Sequence, residues 1–148
     1  MDAYCGTGTI GLIASKWGAG QVLGIELNPS AVEDARENAA LNGVENASFV
    51  CGDASEALKA LSRGSFDGVS CFEGFDVSSL PRSADVVFLD PPRSGSDERF
   101  LASVIRLAPK TIVYISCNAQ TLARDLRYLT TMGPYRMYGA QPVDMFPQ

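Results

Sequence analysis

Asp2-Ala3-Tyr4-Cys5-Gly6-Thr7-Gly8-Thr9-Ile10-Gly11 stands at the head of the chain, and it decides the fold. Met1 to Tyr4 have the character of a strand end, the glycines of a tight loop, and the following residues of a helix over about 9–17. Such a loop has few side chains in the way, so backbone amides can approach a ligand at the start of a helix. Outward from it, Val22–Glu26 reads as a second strand, Ala47–Cys51 as a third, Ala84–Asp90 as a fourth and Thr111–Ser116 as a fifth. Helical patterns at about 30–42, 54–62, 97–107 and 121–132 lie between and after these runs. That alternation predicts an α/β fold, a mostly parallel sheet with helices on both faces. Asn28-Pro29-Ser30 opens the second helix with Glu33 where a capping box would place it, and Thr121 is the expected N-cap of the last. Phe66 to Ser83, rich in glycine and serine, is expected to be an insertion loop, and Pro142 and Pro147 bound whatever strand ends the chain.

Composition narrows the classes. A chain of 148 residues with 46% hydrophobic content buries one core, so a single domain over residues 1–148 is expected. No apolar run approaches the roughly 20 residues of a membrane span, and charged Asp2 follows Met1 where a signal segment would need basic and apolar residues. A cytoplasmic location and no membrane partner are expected. Cys5, Cys51, Cys71 and Cys117 are spaced neither as metal ligands nor as a disulfide framework, and there is no histidine. We therefore expect reduced thiols and no metal in this chain. The net charge of -5 is the reverse of a nucleic-acid footprint. The imbalance is uneven: residues 1–84 carry five Lys/Arg against eleven Asp/Glu, and residues 85–148 carry seven against six.

Glu26 lies 20 residues after Gly6 at the predicted end of the second strand, where a carboxylate can accept hydrogen bonds from ribose hydroxyls. Dinucleotide enzymes and S-adenosylmethionine enzymes both use that arrangement. Gly52-Asp53-Ala54, placed after the third strand to meet an adenine edge, and a fourth strand ending in Asp90-Pro91-Pro92-Arg93 favour S-adenosylmethionine. The two prolines hold the backbone extended and so fix the Asp90 carboxylate at the strand's carboxyl end, where open α/β sheets bind ligands. Arg93 is expected to meet a phosphate or to hold the loop. Cys117, in Ile115-Ser116-Cys117-Asn118, stands at the same sheet edge before a helix whose amides would favour a thiolate. That marks Cys117 as a nucleophile, whereas Cys5, Cys51 and Cys71 read as small buried hydrophobes.

With those motifs the chain resembles the RNA uracil-C5 methyltransferases of ribosomal RNA or of the transfer RNA thymine loop. The resemblance runs through residues 2–12, through Asp90-Pro91-Pro92-Arg93-Ser94-Gly95, through residues 115–126 and through Asp144-Met145-Phe146-Pro147. It implies the Rossmann-like S-adenosylmethionine-dependent methyltransferase fold. It also implies a cofactor site of Tyr4, Gly6, Gly8, Thr9, Glu26, Asp53 and Asp90, and catalytic roles for Cys117 and Asp90. The bacterial ribosomal RNA enzymes are the nearer match, so rRNA is the expected partner ahead of tRNA; no protein partner is implied.

The implied reaction is thiolate addition to uracil C6, methyl transfer to C5, proton abstraction and elimination. The target ring has to leave its stack for this. The family's general base is a glutamate a few residues beyond the Phe-Pro pair, and the sequence stops at Gln148. The chain is therefore expected to be the catalytic domain of a longer enzyme, without the final strand, the general base, the completion of the first strand, or the RNA-binding domains that in some members carry an iron–sulfur cluster. On its own it should bind cofactor, form the adduct and stall there. Ala119 stands where the family usually has proline. Two alternatives remain open: an amino-group methyltransferase that uses the Asp-Pro-Pro strand end, and a non-catalytic nucleotide-binding module.

Overall fold

Every strand of the sheet runs parallel, in the order β3-β2-β1-β4-β5. The computed structural model describes residues 1–66, 69–72, 80 and 83–144. Within them β1 (Asp2–Ala3) leads to α1 (Thr9–Lys16), β2 (Val22–Glu26), α2 (Pro29–Leu41), β3 (Ala47–Cys51) and α3 (Ala54–Arg63). A single 3-10 turn (Ser70–Phe72) precedes β4 (Val86–Leu89), α4 (Glu98–Leu107), β5 (Thr111–Tyr114) and α5 (Ala119–Met132). The strand order reverses at β1, which pairs with β2 on one side and β4 on the other. In open α/β sheets that reversal opens a crevice at the carboxyl ends of the strands, and ligands bind there.

Two apolar clusters cover the two faces of the sheet. Cys5, Leu12, Val32, Ala35, Ala39 and Phe49 seat α1 and α2 on one face. On the other, Leu23, Ile25, Val50, Val87 and Leu89 meet Leu58 and Leu61 of α3, Phe100, Leu101 and Val104 of α4, and Leu129 of α5. Burial on both faces explains why Val22 to Ile25 is an unbroken apolar strand with no polar alternation. The strands keep one direction because each return crosses the sheet through a helix.

The expected elements are present with shifted ends. β4 and β5 are shorter than the apolar runs that announced them, which leaves Asp90 and Ile115 to Asn118 in the loops beyond. Asn28, not Ser30, caps α2, because its side chain accepts from the Ser30 N–H at 3.0 Å; Glu33 therefore falls outside the first turn and forms no capping box. Likewise Asn118, not Thr121, caps α5, by accepting from the Gln120 N–H at 3.0 Å. Both asparagines stand further upstream than the predicted caps, and each lengthens its helix at the start. Most of the expected insertion between Phe66 and Ser83 lies outside the described residues. Its described part is anchored: Phe72 and Leu80 are buried, and the Phe66 and Phe72 rings meet edge to face at 5.1 Å. Residues 133–144 contain no strand, and the Phe-Pro pair at 146–147 lies outside the described residues.

Candidate functional site

The loop between β1 and α1 is shaped by its backbone. Tyr4, Gly6 and Gly8 all take left-handed φ values of 68°, 52° and 84°. At Gly8 a Cβ would stand 3.0 Å from the Phe49 ring and 3.1 Å from Ala35, so a side chain there would be strained by the left-handed backbone and would press those neighbours aside. At Gly6 the same construction meets no atom within 4 Å, which leaves open space over the loop. Gly8 is the N-cap of α1 and has no side chain with which to cap it. Thr9, its first residue, is exposed. A helix start without an N-cap side chain, beside open space, suits an anionic or hydrogen-bonding ligand.

Two carboxylates hold this loop from below. Glu26, at the end of β2, accepts from the Gly6 N–H at 3.0 Å through Oε2 and from the Asn28 N–H at 2.9 Å through Oε1. Its position is thus set by backbone donors on both oxygens, and the second lone pair of each remains for ligand hydroxyls. Asp2, which our sequence analysis did not place in the site, is 1% exposed and accepts from the Gly11 N–H at 2.9 Å through Oδ2. Its Oδ1 is a buried oxygen with no hydrogen-bond partner among the described residues. Burial pushes the Asp2 carboxyl up to about 6, opposed by the Gly11 N–H and assisted by the charges of Asp90 and Glu26. The signal for Asp2 in the sequence is an acid inside a strand that is otherwise buried on both faces.

Asp53 extends the same edge. It follows β3, which pairs residue by residue with β2, and the Gly52 N–H donates to the Glu26 carbonyl at 2.8 Å. Its side chain is exposed and caps α3 by accepting from the Glu56 N–H at 3.0 Å. One oxygen is therefore committed to the helix. A groove of about 580 Å³ runs from Asp53 and Asp97 between α3 and α4 toward Arg63 and Arg106, away from the crevice.

The crevice is closed on its other side by β4 and β5. Because Ala3 pairs with Leu89, Tyr4 and Asp90 leave the sheet side by side. Asp90 is exposed, and partial burial of its carboxyl raises its pKa above the ordinary value. The Ile115 N–H donates to the Leu89 carbonyl at 2.7 Å and continues the ladder past β5, which carries Cys117 to the edge where Asp90 stands. Cys117 is exposed, and a small turn holds it: the Ser116 hydroxyl donates to the Asn118 carbonyl at 3.0 Å and accepts from the Asn118 N–H at 3.1 Å. Tyr4 packs its ring against Phe100 at 5.1 Å, and burial pushes its phenol up to about 12. Arg93 contributes its carbonyl, which accepts from Asn118 Nδ2 at 3.3 Å and from the Thr121 hydroxyl at 3.2 Å. Its guanidinium is exposed and makes no ion pair among the described residues.

Of the other thiols, Cys5 is buried and burial raises it to about 12, as a packing cysteine should be. Cys51 is half-buried against the Leu27 carbonyl, and the Cys71 side chain lies outside those described. Among the described residues no three His, Cys, Asp or Glu side chains gather as a metal site, and no helix is long and apolar enough to cross a membrane.

A parallel five-stranded sheet reversing at β1, with a glycine loop, a β2 carboxylate and an Asp-Pro-Pro strand end around the crevice, defines the Rossmann-like fold of S-adenosylmethionine-dependent methyltransferases. Residues 1–147 match the sequence profile of the tRNA (uracil-5-)-methyltransferase family, and the chain belongs to that family. Among its relatives, an uncharacterized RNA methyltransferase of Caldanaerobacter subterraneus is 46% identical over 147 residues, 99% of this chain and 28% of that protein. Another, from Staphylococcus aureus, is 43% identical over 148 residues, again 28% of its length. The crystal structure of Pyrococcus abyssi tRNA (uracil-54, C5)-methyltransferase in complex with S-adenosyl-L-homocysteine superposes with a TM-score of 0.66 at 31% identity, over 93% of this chain and 28% of that one. The chain thus spans little more than a quarter of the proteins it matches.

Proposed function

We propose that the chain is the catalytic domain of a longer S-adenosylmethionine-dependent enzyme that methylates C5 of a uridine in RNA through a covalent bond from Cys117 to uracil C6. The observation that carries this is that Asp90 and Cys117 follow the carboxyl ends of two paired strands, beside the glycine loop, with the Ile115 N–H donating to the Leu89 carbonyl at 2.7 Å. Among the described thiols Cys117 is the exposed one at that edge.

The cofactor fits the residues present. The open space over Gly6, the glycine N-cap of α1 and the Asp2 oxygen that has no partner among the described residues suit a polar ligand laid across the loop. Tyr4, Gly6, Gly8 and Thr9 would line it, Glu26 would accept from its ribose hydroxyls, Asp53 would meet its adenine edge, and Asp90 would stand at its reactive end. When bound, S-adenosylmethionine supplies an electrophilic methyl group on a sulfonium.

Uracil C5 is a weak nucleophile by itself. The Cys117 sulfur adds to C6, the C5–C6 π electrons move onto the carbonyl, and the resulting enolate gives C5 the electron density that methylation needs. Once C5 carries the methyl, loss of its proton to a base lets the electron pair re-form the double bond and expel the Cys117 thiolate. Asp90, its pKa raised by partial burial, is suited to receive a hydrogen bond from the uracil edge and keep the ring over the thiol. The net charge of -5 predicts weak RNA affinity for this chain by itself, with most phosphate contacts made elsewhere in the longer enzyme.

Ribosomal RNA is our preferred substrate over transfer RNA, from the resemblance of the sequence to the bacterial ribosomal RNA enzymes. The test is transfer of a labelled methyl group by the longer enzyme to both transcripts, followed by nucleoside analysis. Label in 5-methyluridine from the ribosomal transcript is expected. Label in a base amino group, with full activity retained by Cys117→Ala, would identify an amino-group methyltransferase. No transfer by a folded enzyme that binds S-adenosylhomocysteine would identify a binding module.

A further inference from the structure

Of the fourteen residues of α5, Asp125 and Leu129 are the two that are buried, and one of them is a carboxylate at 1% exposure. A charge so deep is costly unless it is paired and hydrogen-bonded. Asp125 has partners on three segments. Oδ2 accepts from the Ser96 N–H at 2.8 Å and from the Tyr114 hydroxyl, and Oδ1 accepts from Arg124 Nε at 2.8 Å. The Arg124 guanidinium in turn donates to the carbonyls of Ser94 at 2.9 Å and Ser96 at 3.0 Å. Thr121, one turn before Asp125, and Asn118, the N-cap of α5 two turns before it, hold the Arg93 carbonyl. The segment 93–96 is thus gripped along its length by one helix face.

Gly95 records how close that grip is. It has φ 75°, and a Cβ there would lie 2.6 Å from both Arg124 Nη2 and Asp125 Oδ2. The gripped segment is the continuation of Asp90-Pro91-Pro92, and the gripping helix is the continuation of Cys117-Asn118. Tyr114, the third partner, is the last residue of β5, three residues before the thiol. An apolar residue at position 125 would satisfy the packing of α5. It would tie neither the Asp90 loop nor the end of β5 to that helix.

We propose that Asp125 is a positioning residue for the methyl-transfer chemistry: with Arg124 and Tyr114 it clamps the loop after Asp90 to the helix after Cys117, so that carboxylate and thiol move as one rigid unit. This rests on the reading of Cys117 as nucleophile and adds to it the device that sets its geometry. Asp125 touches neither substrate nor cofactor, and acts through the two segments it joins.

The test uses the longer enzyme with Asp125→Asn, which places an amide N–H₂ against either Arg124 Nε or the Ser96 N–H, and Gly95→Ala, whose Cβ separates the loop from the Arg124 and Asp125 side chains without altering any charge. Three quantities are read: amide exchange at residues 93–96 and 115–118, affinity for S-adenosylhomocysteine, and the rate of covalent adduct formation with RNA containing 5-fluorouridine. In both variants exchange should rise at least tenfold in both segments together. Adduct formation should slow by about a hundredfold, and cofactor affinity should stay within twofold. Unchanged exchange in either segment overturns the clamp. Raised exchange with an adduct rate within twofold of the parent leaves Asp125 a structural residue and overturns its positioning role. If Asp125→Asn does not fold, Gly95→Ala decides by the same criteria. Absence of any adduct in the unaltered enzyme would instead sink the nucleophile assignment, and the positioning role with it, whatever the exchange data say.

Discussion

The two sides of the crevice are built differently. On the cofactor side, left-handed backbone at Tyr4, Gly6 and Gly8 makes the shape, and carboxylates of β2 and β1 hold the amides of Gly6 in the loop and Gly11 in α1. On the Cys117 side the backbone is ordinary apart from Gly95, and the shape comes from polar side chains of α5 that hold the carbonyls of the Asp90 loop. A backbone-made loop shows in any sequence that places glycines between a strand and a helix. A side-chain-made clamp requires two segments about 30 residues apart to meet before any of its members has a meaning.

The contrast can be broken most severely at the thiol. Cys117→Ala in the longer enzyme should lower methyl transfer by about four orders of magnitude or more, because among the described residues no other exposed thiol stands at that edge to supply the covalent step. Scintillation counting of transferred methyl groups checks this, and cofactor affinity should be unchanged. Gly8→Val attacks the other side. It combines a left-handed φ with contact against Phe49 and Ala35, so it should cost roughly 2–4 kcal/mol. Thermal denaturation should show a midpoint lower by about 10 °C.

Asp2 sharpens the comparison through pH. Its carboxyl sits at about 6 in the folded chain against 3.8 in the unfolded one, so the fold favours the protonated form. The stability it contributes is complete below about 3.8 and is lost as pH rises through about 6. Asp2→Asn, which keeps an acceptor for the Gly11 N–H, should therefore gain stability relative to the parent as pH rises from 4 to 7, by on the order of 2–3 kcal/mol. Urea titrations at four pH values measure it. A parallel pH dependence in the two proteins would contradict the burial of an unpartnered oxygen. The smallest effect is expected from Glu26→Gln, whose amide can turn only one acceptor to the Gly6 and Asn28 amides. Its affinity for S-adenosylhomocysteine should drop about tenfold by calorimetry, the loss of one charge-assisted hydrogen bond.

Much of the fold was legible because it follows from periodicity. The runs Val22–Glu26 and Ala47–Cys51 are strands with the expected bounds, and the glycine loop lies between a strand and a helix as its residues demand. The caps were harder, since Asn28 against Ser30 and Asn118 against Thr121 are decided by which oxygen reaches a free amide, a matter of backbone angle and not of residue type. In the candidate site, Glu26, Asp90 and Cys117 are marked in the sequence by standing at predicted strand ends, and Tyr4 by the family resemblance. Asp125 carries no such mark, and Asp2 only that of an acid within a strand, because an acid's burial is known only when the segments above and below it are in place. Arg93 stood out as a charge, yet it is the carbonyl of that residue that the fold employs.

The central claim is the covalent role of Cys117. Incubating the longer enzyme with S-adenosylmethionine and RNA containing 5-fluorouridine blocks the loss of a proton from C5, since fluorine occupies that position, and should arrest the reaction as a stable adduct. Mass spectrometry of the digested complex should find a nucleotide joined to the peptide that carries Ser116-Cys117-Asn118, with the transferred methyl group present. A folded enzyme that binds both ligands, methylates the unfluorinated RNA and yields no adduct on that peptide would contradict the account.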